Sequence, residues 1–199
     1  MAPTFFSDSN FQPKRQFRFM VSFTELGNLT YMVSKAAKPA YKIGTKAHQL
    51  MNHQFKFPGI VKWDPVTIDF VDAVDPNVGT TFYAALLNAG YVAPGQGGVS
   101  VQDAITTGVT KAGSVAAVGE VRIKQLDGGG ITMIGDPGLV AGPPAGTNIV
   151  EEWTLKNAWI SEVNWGALNY AEDGLVTITT KIEYDWAVYN NEVRPVPTG

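Results

Sequence analysis

The sequence predicts a mainly β chain: an antiparallel β-barrel or sandwich with one flanking α-helix. Three observations carry this. Apolar Val176, Ile178, Ile182, Tyr184 and Trp186 alternate with Thr177, Thr179, Lys181, Glu183 and Asp185, and shorter runs repeat the pattern. Period-2 alternation marks strands with one buried face. Only one segment, after Asp75, has apolar residues at helical spacing.

Taken in order, Phe17, Phe19, Val21 and Phe23 alternate with Arg18, Met20, Ser22 and Thr24 as a first strand. Leu26-Gly27-Asn28 reads as a tight turn into a second strand over 29–36, giving a hairpin. Residues 37–52, with Pro39 and Gly44, read as a long polar loop. Residues 53–57 look extended and are stopped by Pro58-Gly59, and Pro65 opens a strand through Val66, Ile68 and Phe70. For the helix, Asp75 is the expected cap, Pro76 suits the first position and Gly90 fits just past the end. Its stripe is Val78, Phe82, Ala85, Leu86 and Ala89.

The middle, residues 91–149, is glycine-rich and poor in charge. It is read as an insertion in a single domain spanning 1–199. A strand is expected over 121–126, a turn at Asp127-Gly128-Gly129-Gly130 into a strand over 131–134, and long loops elsewhere. Residues 152–163 are extended with a slip near Asn157 that suggests a bulge. A loop over 165–174 leads to the last and longest strand, where Thr180 is the one polar residue on the apolar face.

Composition limits the chemistry. There is no cysteine, which excludes a disulfide framework, a thiolate metal site and a cysteine nucleophile. The start shows no signal-peptide pattern and no apolar run reaches the ~18–20 residues of a membrane span, so no membrane insertion is expected. The Asn28-Leu29-Thr30 sequon is then expected to stay unmodified. His48 and His53, five residues apart across a loop and a strand, are not a metal pair. Serine occurs without a nucleophile elbow. The glycine clusters Gly95-Gln96-Gly97-Gly98 and Gly128-Gly129-Gly130 do not join a strand to a helix as a phosphate loop must. The adjacent carboxylates Glu151 and Glu152 would point to opposite faces of a strand. Hence no catalytic residue, cofactor or metal is assigned, and no enzyme is expected.

Charged residues make up only 17% of the chain, against about 25% for an ordinary soluble domain. They are also segregated: residues 1–62 carry nine Lys or Arg and two acids, and residues 63–199 carry six Lys or Arg and sixteen acids. Lys35, Lys38, Lys42 and Lys46 form the densest basic stretch, with no acid between Leu26 and Trp63. That stretch is the candidate inter-subunit contact loop, suited to an acidic surface on a neighbour. It contains no Arg and the pI is near 5.3, a poor match to a nucleic-acid groove. Among the five tryptophans, Trp153, Trp159 and Trp186 belong to strands, while Trp63 and Trp165 lie in loops and could stack on a sugar or a partner.

Two segments carry a family resemblance. His53-Gln54-Phe55-Lys56-Phe57-Pro58-Gly59 with Trp63-Asp64-Pro65-Val66-Thr67-Ile68-Asp69-Phe70 resembles the early core of tail tube proteins from contractile-tailed bacteriophages. Trp153-Thr154-Leu155-Lys156-Asn157-Ala158-Trp159-Ile160-Ser161-Glu162-Val163, followed by the 176–186 strand, resembles that family's paired C-terminal strands. The resemblance covers roughly 15–92 and 118–190. It implies a structural protein of the virion tail, assembled in the host cytoplasm as hexameric rings stacked into a hollow tube. Its implied partners are further copies of itself, a surrounding sheath protein, and a tape-measure protein and phage DNA in the lumen, held without specific binding. The long middle segment leaves a baseplate or tail-terminal relative open. Thr177, Thr179, Lys181, Glu183 and Asp185 are the candidate lumen or solvent-facing positions, chosen by alternation. The tube protein of a related contractile injection or type VI secretion machine is the first alternative, and a carbohydrate-binding β-domain the second.

Overall fold

Two antiparallel four-stranded sheets enclose one core, and a separate two-stranded hairpin projects from them. The structure, a computed structural model, describes residues 13–27, 29–93, 108–126, 149–171 and 173–190. The elements are β1 (Phe19–Phe23), a 3-10 turn (Leu29–Met32), β2 (Val33–Ala36), β3 (Ala40–Leu50), β4 (His53–Asp64), β5 (Val66–Val71), α1 (Val78–Asn88), α2 (Lys111–Val118), β6 (Val121–Leu126), β7 (Ile149–Lys156), β8 (Trp159–Asn164), β9 (Thr177–Glu183) and β10 (Trp186–Asn190). One sheet has the order β1-β6-β7-β10 and the other β2-β5-β9-β8.

Alternation explains the core. Val66, Ile68 and Phe70 of β5 pair with Ile182, Thr180 and Ile178 of β9, and all six are buried. Val21 and Phe23 of β1, Val121 and Ile123 of β6 and Leu155 of β7 face them from the other sheet. Phe70 links the layers, its ring centroid 5.0 Å from Phe82 and 5.9 Å from Phe23. Thr180, on this apolar face, is fully buried and donates from Oγ1 to the Ile68 carbonyl at 3.1 Å. The hydroxyl is tolerated because its donor is satisfied.

The helix after Asp75 forms with Val78, Phe82 and Ala85 buried, and Ala89 just beyond its end. Its cap is Asn77 rather than Asp75: Asn77 Oδ1 accepts from Thr80 N at 2.7 Å. Leu86 is exposed, so the buried stripe is narrower than expected.

Five strand expectations are corrected, the first being that Pro58-Gly59 stops a strand: β4 runs through that pair to Asp64. The residues after Gly27 do not form a hairpin with β1: Leu29 turns into the core within the 3-10 turn, β1 pairs with β6, and β2 pairs with β5. The slip near Asn157 is more than a bulge. Asn157 adopts a left-handed φ of 55°, and the chain passes there from β7 in one sheet to β8 in the other. The long last strand likewise ends at Glu183, and β10 continues in the opposite sheet after Tyr184 and Asp185. Residues 37–52 are not a loop, for they contain all of β3.

A second helix, α2, was not expected within the glycine-rich middle. Its N-cap is Thr110, whose Oγ1 accepts from Gly113 N at 3.1 Å. Gly113 is required by a close approach: a Cβ there would lie 2.7 Å from the Ala89 carbonyl oxygen at the end of α1. The expected strand at β6 is present. The Gly95–98 and Gly128–130 clusters, the strand over 131–134, most of the long loops and Asn28 lie outside the described residues.

Candidate assembly interface

The β3–β4 hairpin continues the β2–β5 pair outward. Pro39 and Pro65 lie where the ladder breaks, since neither can donate a backbone hydrogen bond. Beyond them ten residue pairs run from Ala40↔Asp64 to Leu50↔His53. At about 3.4 Å per residue, eleven-residue β3 reaches roughly 35 Å. One extra residue is taken up on β4 between Ile43↔Val61 and Thr45↔Pro58. The bulge is where Gly59 and Gly44 cross: a Cβ on Gly59 would sit 3.0 Å from the Gly44 carbonyl oxygen. The tip is Met51-Asn52, with Met51 at φ 53°.

Neither face of this hairpin packs on the body. Every residue of β3 is exposed, and on β4 only Gly59, Trp63 and Asp64 are partly covered. Tyr41, Ile43, Leu50, Met51, Phe55, Phe57, Ile60 and Val61 all project into solvent. A lone two-stranded ribbon is marginal in water, and apolar surface of this extent marks an interaction site.

Its root is firmly held. Tyr184 donates from its hydroxyl to the Asp64 carbonyl at 2.7 Å. Burial, with the Asp64 charge adding to it, pushes that phenol up to about 12, so it remains a donor throughout the physiological range. Trp63 lies between Tyr184 and Tyr41, with ring centroids 6.0 and 5.3 Å away. In the link from β2 to β3, Lys38 pairs with Glu151 of β7, which also binds Lys14 and accepts from Trp153 Nε1 at 3.3 Å. Burial pushes the Glu151 carboxyl up, but the two lysine hydrogen bonds outweigh it and hold it below the usual carboxylate range.

The candidate basic residues therefore separate. Lys35 is on β2, exposed and in register with Asp69. Lys38 is committed to Glu151, and Lys42 on β3 pairs with Asp64 at 2.9 Å. Lys46 on β3 makes no ion pair among the described residues, and the same is true of Lys56 and Lys62 on β4. The stretch is thus strand at Lys35, Lys42 and Lys46 and a short link at Lys38, and two of its four lysines are already neutralised within the chain. Sequence reasoning missed Lys56 and Lys62 as members of the same ribbon, where Lys56 stands opposite Ala47 and Lys62 opposite Lys42. The signal was present: between Ala40 and Trp63 there are four lysines and no acid.

The alternation candidates are also divided. Thr177 is exposed, and Thr179, Lys181 and Glu183 are half-buried, all on the outward row of β9. Thr179 donates to Asp69 Oδ1 at 2.8 Å, and Lys181 sits in register with Glu162 on β8. Asp185 leaves this row. It lies past the end of β9, where it receives Lys111 Nζ at 2.7 Å and Asn157 Nδ2 at 2.7 Å.

An open groove of about 460 Å³ lies between α2 and the sheet, lined in part by Trp159, Tyr184, Lys111 and Asp185. Its Lys111 and Asp185 already satisfy one another. Among the described residues no three His, Asp or Glu side chains gather as a metal-ligand cluster. No described helix is long and apolar enough to cross a membrane.

No protein-family model and no curated relative matches the chain. Solved structures do. A chain of the anti-feeding prophage tube-terminating cap aligns at TM-score 0.59 and 15% identity, covering 96% of this chain and 99% of its own. One from the anti-feeding prophage baseplate aligns at TM-score 0.56 and 12% identity, covering 91% and 97%. One from the sheath–tube complex of the PVC extracellular contractile injection system aligns at TM-score 0.55 and 13% identity, covering 90% and 92%. The fold is a contractile tail-tube fold. At such identities what is shared is the fold, in agreement with the resemblance carried by the 53–70 and 153–186 segments.

Proposed function

We propose that this protein is a structural, non-enzymatic subunit of a phage tail tube. Hexameric rings of it would stack into a hollow conduit for genome ejection inside a contractile sheath, in the virion tail, after assembly in the host cytoplasm. The observation that carries this reading is the β3–β4 hairpin, a ten-pair ribbon with eight large apolar side chains exposed in the isolated chain. Such a ribbon needs a neighbour, and repeated copies of one chain supply it at no cost in additional sequence. The low charge content fits the same reading, because subunit contact removes surface that would otherwise need solvation.

In this reading the outward row of the β2-β5-β9-β8 sheet is the candidate lumen face. There Lys35 and Lys181 are offset by Asp69, Glu162 and Glu183. Phosphate affinity grows with each cation that contacts the backbone, so a face whose cations are matched by acids lets DNA or a tape-measure protein pass without being held. Lys46 remains a candidate contact residue, together with Lys56 and Lys62.

A second reading is favoured by the likeness to the anti-feeding prophage and PVC assemblies: a tube, tube-end or baseplate component of an injection machine with a protein cargo. Neighbouring genes for genome packaging or for a secreted effector separate the two. Negative-stain electron microscopy of the purified protein at high concentration tests both. Rings or hollow filaments are expected; globular particles of the 21.4 kDa chain at every concentration would overturn both.

A further inference from the structure

The hairpin leaves the molecule at the pole where β5 begins. Two loops meet at the opposite pole, where β5 ends, six residues or about 20 Å away. One comprises residues 72–77, leading into α1, and the other residues 165–176, joining β8 to β9. They are tied by Asp72 N donating to the Val176 carbonyl at 2.9 Å, and by the Trp165 ring, 3.5 Å from where a Cβ on Gly79 would be. Together they expose Val74 (96%), Leu168 (86%) and Leu175 (79%), with Tyr170 fully in solvent. Their charge is of one sign. Asp72, Asp75 and Asp173 lie here, and neither 72–77 nor 165–176 contains a Lys or Arg. Asp72 is half-buried, and its Oδ1 has no hydrogen-bond partner among the described residues.

The two poles are complementary. The hairpin offers Lys46, Lys56 and Lys62 without an acid between them, Lys46 and Lys56 on opposite faces of the ribbon, beside exposed Leu50, Met51 and Ile60. We infer that the 72–77/165–176 loop pair is the acceptor for the hairpin of a second copy of this chain. The lysines meet Asp72, Asp75 and Asp173, and the hairpin's apolar side chains cover Val74, Leu168, Tyr170 and Leu175. Donor and acceptor lie at opposite ends of β5, so the contact is heterologous: each docking event leaves one donor and one acceptor unused, and growth continues along the strand direction. Opposite charges across the contact fix its register and speed encounter. This inference rests on the proposed assembly of the chain and names which of its surfaces meet.

The test uses the full chain. Lys46→Glu with Lys56→Glu removes the donor, and Asp72→Lys with Asp75→Lys removes the acceptor. Each pair should cut assembled mass in sedimentation velocity at least tenfold, and all four changes in one chain should restore it to within about twofold, a rescue that general damage to folding would not give. Zero-length carbodiimide cross-linking of the unmodified protein should join Lys46, Lys56 or Lys62 to Asp72, Asp75 or Asp173 of another copy. If the native chain assembles and the acceptor variant assembles equally well, or the cross-links from these lysines all lead to acids outside 72–77 and 165–176, the inference is wrong while the tube reading stands. If the native chain never assembles, both fall.

Discussion

Asn157 donates from Nδ2 to the Asp185 carboxylate at 2.7 Å, and this bond joins the two points where the chain crosses between sheets. Asn157 follows β7 and precedes β8, and Asp185 lies between β9 and β10. Asp185 N also donates to the Lys156 carbonyl at 3.0 Å, and Lys111 of α2 reaches both carboxylate oxygens. One side chain thus holds two corners and a helix together. The Lys111 hydrogen bond first, and the Asn157 bond after it, hold the Asp185 carboxyl below the usual carboxylate range.

Replacing Asn157 separates its two roles. Asn157→Gly keeps the left-handed backbone but loses the bond to Asp185, costing about 1 kcal/mol. Asn157→Ala loses the bond and also strains the φ of 55°, for a total of about 2 kcal/mol. The difference in urea midpoints between the two variants reads the conformational part. Equal midpoints would show that the corner relaxes away from the left-handed region.

Legibility in the sequence followed burial. β5 and β9 were readable because Val66, Ile68 and Phe70, and Ile178 and Ile182, alternate against polar neighbours over a single core. The corners at Asn157 and Asp185 were visible only as a slip and as a polar residue in a strand pattern. A chain that changes sheets keeps its alternation on both sides of the turn, so the pattern does not say which sheet it has joined. β3 was invisible for a different reason. Both of its faces are exposed in the isolated chain, so Lys42, Lys46, His48 and Gln49 stand beside Tyr41, Ile43 and Leu50 with no clean period. The polar bias looked like a loop. Lys56 and Lys62 went unnoticed as belonging to the ribbon that carries Lys46 because only strand pairing brings 40–50 alongside 53–64. Thr110 and Gly119 do bracket α2 as cap residues, but eight residues with a glycine among them fell below what a helical period can show.

Glu151 should make the hairpin root sensitive to acid. Its carboxyl is held below the usual range because Lys14 and Lys38 outweigh the opposing effect of burial. The folded state therefore binds this proton less readily than the unfolded chain. The stabilisation is complete above the unfolded value near 4.3 and is lost as pH falls through the lower folded value. Both lysines are about half exposed, so solvent screening limits the contribution to about 1–2 kcal/mol. Glu151→Gln should lose that amount at pH 7 and show a shallower fall in stability below pH 4. The fall should not vanish, because Asp185 and Glu120 are shifted in the same direction. Hydrogen exchange at the amides of Ala37, Lys38 and Ala40 should quicken in the variant at pH 7. Unchanged exchange there would mean that Tyr184 and Trp63 hold the root without help from Glu151.

Gly59 offers a way to damage the hairpin without touching the core. Its partner at the bulge is backbone, since a Cβ would sit 3.0 Å from the Gly44 carbonyl oxygen and 3.3 Å from its carbon. In Gly59→Ala the two strands must part by a few tenths of an ångström at the bulge, which re-aims the outer half of the ribbon, including Lys46, Phe57 and the Met51 tip. None of the core side chains lies on β3 or β4 short of Trp63. The body should therefore lose less than about 1 kcal/mol, a shift of at most roughly 2–4 °C in Tm. Assembly should fall much further, because an error at the bulge is carried to the tip along six further residue pairs, Thr45↔Pro58 through Leu50↔His53. Thermal denaturation and sedimentation velocity on the same sample separate the two effects. A variant that melts several degrees lower but assembles normally would place the hairpin in the stability of the body rather than in contact with a neighbour.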